Sequence, residues 1–130
     1  MSDGWIGVDL DGTLARYTGW ANGAIGEPIE PMMRRVREWV AQGRKVKIFT
    51  ARVAFPVADC GSMSDRVREA HDQRMHIQDW LESHGLPRLE VTCQKDFAMI
   101  ELWDDRCVQV RPNTGIPVDP EFGEVVFKTT

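Results

Sequence analysis

WIGVDLDGTL (residues 5–14) is an apolar run that ends in two carboxylates, Asp9 and Asp11, followed by Gly12 and Thr13. The run reads as a buried strand over Ile6–Asp9. In extended chain residues i and i+2 point to the same side, so both carboxylates face one spot. Like charges held that close repel, and one pKa rises unless a cation lies between them. The stretch therefore implies a bound metal or a shared proton. In isolation a turn or a helix N-cap suits two such acids equally well.

Strand and helix patterns alternate outward from this stretch. Pro31–Gln42 has Met32 or Met33, Val36, Trp39 and Val40 at helical spacing, with Pro31 suited to the first turn and Gly43 to the stop. KVKIFT (45–50) reads as a short buried strand. A second helix is expected from about Asp65 to His84, with Ser64 as N-cap, Gly85 closing it and Pro87 preventing continuation. LEVTC (89–93), MIELW (99–103) and CVQV (107–110) read as three further strands. The β-α-β-α-β order predicts an α/β fold: three Rossmann-like layers, a mostly parallel sheet with helices on both faces. In such sheets ligands bind at the carboxyl ends of the strands.

A chain of 130 residues with 42% hydrophobic content builds one sizeable core, so residues 1–130 are expected to form a single domain, with 111–130 as a C-terminal extension. Sixteen basic against twenty acidic residues give a net charge of −4, which offers no global attraction to nucleic acid or an anionic membrane. Cys60, Cys93 and Cys107 form no CxxC pair and suit a reducing compartment, with Cys93 and Cys107 as small buried apolar residues. No apolar run approaches the roughly 20 residues that span a bilayer, so a cytoplasmic protein without membrane partners is expected.

Four strand ends deliver polar groups in order: Asp9 and Asp11, then Thr50, then Lys95, then Asp104 and Asp105. This set matches magnesium-assisted phosphoryl transfer. Carboxylate oxygens hold Mg²⁺, while an ammonium and a hydroxyl stabilise the phosphoryl oxygens as charge redistributes. Each residue also has an ordinary reading: Thr50 as a β-branched strand residue, Lys95 as a solvated loop lysine, Asp104–Asp105–Arg106 as an exposed turn.

DLDGT (9–13) resembles the first motif of the haloacid dehalogenase-like phosphohydrolases, and Thr50, Lys95 and the Asp104–Asp105 pair resemble their second, third and fourth motifs in order, over residues 5–106. IGEPIEP (25–31), FTAR (49–52) and DDR (104–106) are similar to a small phage-type or bacterial branch that lacks a cap domain. The resemblance implies Asp9 as nucleophile and Asp11 as general acid and base. It implies Mg²⁺ held by Asp9, the Asp11 carbonyl and Asp104, with Asp105 in or next to the shell. Thr50 and Lys95 would grip the phosphoryl group, with Gly12, Ala51 and Arg52 lining it. Receiver domains use similar residues, but their acidic pair comes early and their threonine and lysine late, whereas here a second acidic pair, Asp104–Asp105, follows Lys95.

The expected partner is a small phosphorylated substrate. Its specificity is assigned to Ala15–Pro28, where Trp20 and Tyr17 suit stacking on it and packing under a loop equally, and to Val53–Met63. Arg52 suits a phosphate contact and a structural ion pair equally. Ordinary packing is the better expectation for His71 and Arg74. Glu101 interrupts MIELW where an apolar residue is usual. An uncapped site also leaves room for a neighbouring subunit, with EVVF (124–127) as an edge strand or oligomer contact. The competing readings are a non-enzymatic phosphate or nucleotide-binding module and a polynucleotide-end phosphatase.

Overall fold

Strand β1, Trp5–Val8, is buried at all four positions. In the computed structural model, which describes residues 4–54 and 63–119, it is flanked by β2 (Lys45–Phe49) and β4 (Met99–Trp103). β3 (Glu90–Thr92) pairs with β2, giving the order β3-β2-β1-β4 with every pairing parallel. Helix α1 (Glu30–Ala41) joins β1 to β2, and α2 (Met63–Ser83) leads into β3. The chain is thus a Rossmann-like α/β fold, and no cap domain is present among the described residues.

Each boundary has a local cause. Pro31 lies in the first turn of α1, where its missing N–H costs nothing. Gly43 follows that helix at φ 79°, and the N–H of Arg44 returns to the Trp39 carbonyl. Gly85 ends α2 in the same way, with the Leu86 N–H bonded to the Leu81 carbonyl. α2 has already begun at Met63, so Ser64 lies inside its first turn rather than at its N-cap.

Ile6 and Val8 alternate with Trp5 and Gly7, and the register sets Val46 and Ile48 beside them. These four side chains join Met33 and Val36 of α1 and Ile77 and Leu81 of α2 in one core cluster. Both helices therefore cover the same face, whereas the sequence pattern led to helices on both. Two crossovers of one hand that step the same way along a sheet must place their helices on one side.

On the opposite face the β3–β4 connection is tied to β1 through Asp96. Trp5 Nε1 donates to Asp96 at 2.9 Å, and the Lys47 ammonium lies 4.4 Å from the Trp5 ring centroid and 3.2 Å from Glu90. A buried lysine on an apolar strand is stable here because its charge has both partners.

The strand expected at CVQV (107–110) is not formed. Val110 makes only an isolated bridge to Pro117, and Cys107, expected to be buried, is exposed. β4 is therefore an edge among the described strands, and Glu101 sits there exposed, accepting a hydrogen bond from Trp103 Nε1 at 3.2 Å. An edge position tolerates the carboxylate that a central strand would not. EVVF and most of Val53–Met63, with Cys60, lie outside the described residues. No helix is long and apolar enough to cross a membrane among the described residues.

Candidate functional site

The β1–β4 register pairs Val8 with Trp103, and the Asp9 N–H continues the ladder to the Trp103 carbonyl at 2.9 Å. The next residue on each strand is an aspartate, so Asp9 and Asp104 emerge side by side at the carboxyl edge of the sheet. Asp105 completes a cluster in which three carboxylate oxygens lie within 4.8 Å of one another, close enough to share a metal ion. Burial, the adjoining Asp105 carboxyl and the negative charges of Asp104 and Asp105 push the Asp9 carboxyl from 3.8 up to about 7. Three crowded acids are costly unless a proton or a cation joins them. The donor set is oxygen only, which suits hard divalent cations.

Thr13 and Gly12 build this cluster from the neighbouring turn. The Thr13 hydroxyl accepts from the Asp105 N–H at 3.1 Å and lies 3.4 Å from Asp9 Oδ2 and 3.3 Å from Asp105 Oδ1, donating to one at a time. Gly12 sits at φ 92°, and a Cβ there would lie 2.5 Å from Asp105 Oδ2. Only glycine lets Asp105 approach. Gly12→Ala should fold but weaken divalent-cation binding roughly 10- to 100-fold, as titration calorimetry with Mg²⁺ would read. Unchanged affinity would remove Asp105 from the cation's surroundings.

Asp11 leaves on a different heading. Its carboxylate is gripped bidentately by Arg52, Nε to Oδ2 at 2.7 Å and Nη2 to Oδ1 at 2.9 Å. The same guanidinium donates to the Gly23 carbonyl at 2.7 Å and the Ala24 carbonyl at 3.2 Å and stacks on Trp20 at 4.8 Å. The Arg52 side chain is only 3% exposed. Of its two readings, the ion pair is the one the structure contains.

Thr50 closes β2 and is buried; its hydroxyl accepts the Arg52 N–H at 3.1 Å and keeps its own proton free to donate. Ala51 and Arg52 follow in a short 3-10 turn, Ala51–Val53. Asp9, Asp11, Thr50, Ala51, Arg52, Trp20, Tyr17, Asp104 and Asp105 line one open cavity of about 740 Å³.

Lys95 is not brought there. It is exposed, outside the cavity lining, and its neighbour Asp96 is tied to Trp5 at the start of β1, away from the edge that carries Asp9. The β3–β4 connection is already running back toward the start of β4, and Ala98 accepts the Trp5 N–H at 2.8 Å. Arg106 instead lines the cavity, its N–H bonded to Asp104 Oδ1 at 2.8 Å. Glu69 of α2 also lines it. His71 is exposed, and Arg74 Nε donates to the Val91 carbonyl at 3.3 Å, a packing role.

Thr13 and Arg106 have no role in the sequence pattern. A hydroxyl two residues past an acid was a usable signal for the first. Nothing local marked Arg106 apart from its place after the acidic pair.

Fold and site together define an α/β protein with an acidic cluster at the carboxyl edge of a parallel sheet. No family model matches the chain, and no curated protein matches it. A solved structure described as a conserved protein from Bacteroides thetaiotaomicron is similar at 17% identity, covering 98% of this chain and 92% of that one with a TM-score of 0.48.

Proposed function

We propose that this protein is a Mg²⁺-dependent phosphomonoesterase of the haloacid dehalogenase-like type. The observation that carries the reading is the convergence of Asp9, Asp104 and Asp105 on one point, with Asp11 and Thr50 lining the same cavity. Mg²⁺ would be held by the Asp9, Asp104 and Asp105 carboxylates, keeping Asp9 ionised and shielding the incoming phosphate.

An Asp9 oxygen then attacks phosphorus in line, the ester P–O bond breaks, and the departing oxygen takes a proton from Asp11. In the second step water attacks the aspartyl-phosphate, Asp11 accepts its proton, and Asp9 and inorganic phosphate are released. Thr50 supplies a hydroxyl donor to the phosphoryl oxygens, and Arg106 supplies the cation that the sequence pattern assigned to Lys95. Arg52 donates to both oxygens of Asp11, an arrangement that fits the step in which Asp11 is the acceptor. Donating a proton requires that pair to part.

The test is phosphate release from a panel of monoesters with Mg²⁺ and with chelator. Uncatalysed monoester hydrolysis is so slow, with enzymatic accelerations up to about 10²¹-fold, that even a poor substrate should rise above background. Turnover abolished by chelator is expected. Mg²⁺ binding without turnover of any ester would favour the non-enzymatic phosphate-binding module.

A further inference from the structure

Trp20 is the second partner of the guanidinium that holds Asp11. Its ring lies 4.8 Å from Arg52 Cζ, and Gly23 packs so close that a Cβ there would stand 3.3 Å from Trp20 Cζ2. The short turn between them is fixed: Asn22 has φ 57°, the Gly23 N–H returns to the Trp20 carbonyl at 2.8 Å, and the Gly23 carbonyl is bonded by Arg52 and lies 3.2 Å from His76 Nε2. Trp20 is therefore a mounted ring rather than a loose one. It remains 53% exposed, and Tyr17, 47% exposed, lines the same cavity.

A cavity of about 740 Å³ falls in the range that encloses whole small molecules, more room than a phosphoryl group needs. Asp11 is the residue that serves the leaving oxygen, and Arg52 links it directly to Trp20. We infer that the site selects monoesters whose leaving group carries a planar aromatic ring, with the open part of Trp20 as the stacking surface and Tyr17 as a second wall. This rests on the phosphomonoesterase reading. A purine or pyrimidine ring and a simple aryl ring share the required chemistry.

The experiment compares wild type, Trp20→Ala and Trp20→Phe on a nucleoside 5′-monophosphate, phenyl phosphate and glycerol phosphate, all with Mg²⁺. Wild type should prefer the ring-bearing esters in kcat/KM. That preference over glycerol phosphate should fall about tenfold in Trp20→Ala, chiefly through KM, and return in Trp20→Phe, as base–aromatic stacking energies imply. A larger preference for the nucleotide than for phenyl phosphate identifies the ring as a base. Glycerol phosphate turned over as well as the ring-bearing esters, or a preference unchanged in Trp20→Ala, overturns the inference and leaves the phosphatase reading standing. Calorimetric binding of the nucleotide to Asp9→Asn and to Asp9→Asn/Trp20→Ala separates the two failures. Trp20-dependent binding in a protein whose wild type turns over no ester would sink the phosphatase reading and keep the ring site, whereas equal binding by both variants would sink the ring site.

Discussion

Asp9→Asn should lose phosphatase activity on the order of 10³-fold or more while making the metal-free protein more stable above pH 7. The first half follows from the chemistry of the proposed reaction: an amide oxygen is a far poorer nucleophile toward phosphorus. The second half follows from the electrostatics. In the fold the Asp9 carboxyl is pushed from 3.8 up to about 7 by burial and by Asp105 and Asp104. A raised folded-state pKa means that the protonated form is favoured by folding. Its contribution is fully present below about 3.8 and is lost as pH rises to about 7, because the carboxyl must then ionise beside two other carboxylates.

The full displacement would correspond to about 4 kcal/mol, but Asp9 is only half-buried and solvent screens much of the repulsion, so about 1–2 kcal/mol is the expected loss. Asparagine does not ionise and escapes it. Thermal melts with chelator should therefore show wild type falling in Tm between pH 4 and pH 7 and Asp9→Asn staying level. Saturating Mg²⁺ should reverse the order at pH 8, because the cation binds the native wild-type cluster preferentially. A variant no more stable than wild type at pH 8 without metal would mean that the three carboxylates do not repel as their spacing requires.

The parts of this site that lie along one strand were legible in the sequence, and the parts that depend on the chain's route between strands were not. The apolar stretches before Asp9, Thr50 and Asp104 located those three strand ends correctly, whereas the i, i+2 spacing misplaces Asp11: β1 ends at Val8, and the Asp11 carboxylate turns away from Asp9 to Arg52. The convergence of those three ends then follows from parallel pairing with Val8 opposite Ile48 and Trp103. Lys95 had the right place in chain order, but its position in space depends on where the β3–β4 connection turns, which the Asp96–Trp5 hydrogen bond determines across 91 residues of sequence. CVQV has strand propensity and alternation, yet propensity forms no strand without a neighbour to complete the ladder. Arg52 stood beside Thr50 with two open readings, and only the folded positions of Gly23 and Ala24 show its donors already engaged. A side chain's local context announces what it can bind, and its partners are chosen by contacts far along the chain.

That engagement makes Arg52 the site of the second large effect. Arg52→Ala removes a bidentate pair from Asp11, takes its donor from the Ala24 carbonyl and leaves the Gly23 carbonyl with His76 Nε2 alone. Removing one partner of a buried pair typically costs 3–5 kcal/mol. Asp11 keeps 21% of its side chain exposed and regains water, so about 2–3 kcal/mol is expected, read as a lower midpoint in urea at unchanged slope. Turnover should fall about 10- to 100-fold, because Asp11, the proposed proton carrier, and the 20–24 turn lose their common anchor. Lysine should not restore either quantity: a single ammonium cannot span both Asp11 oxygens and two carbonyls while lying flat on Trp20. Asp11→Asn/Arg52→Ala should lose little more activity than Asp11→Asn alone, since the two residues act as one unit. Additive losses in that cycle would separate Arg52 from Asp11 and leave it a purely structural tie for the turn that carries Trp20.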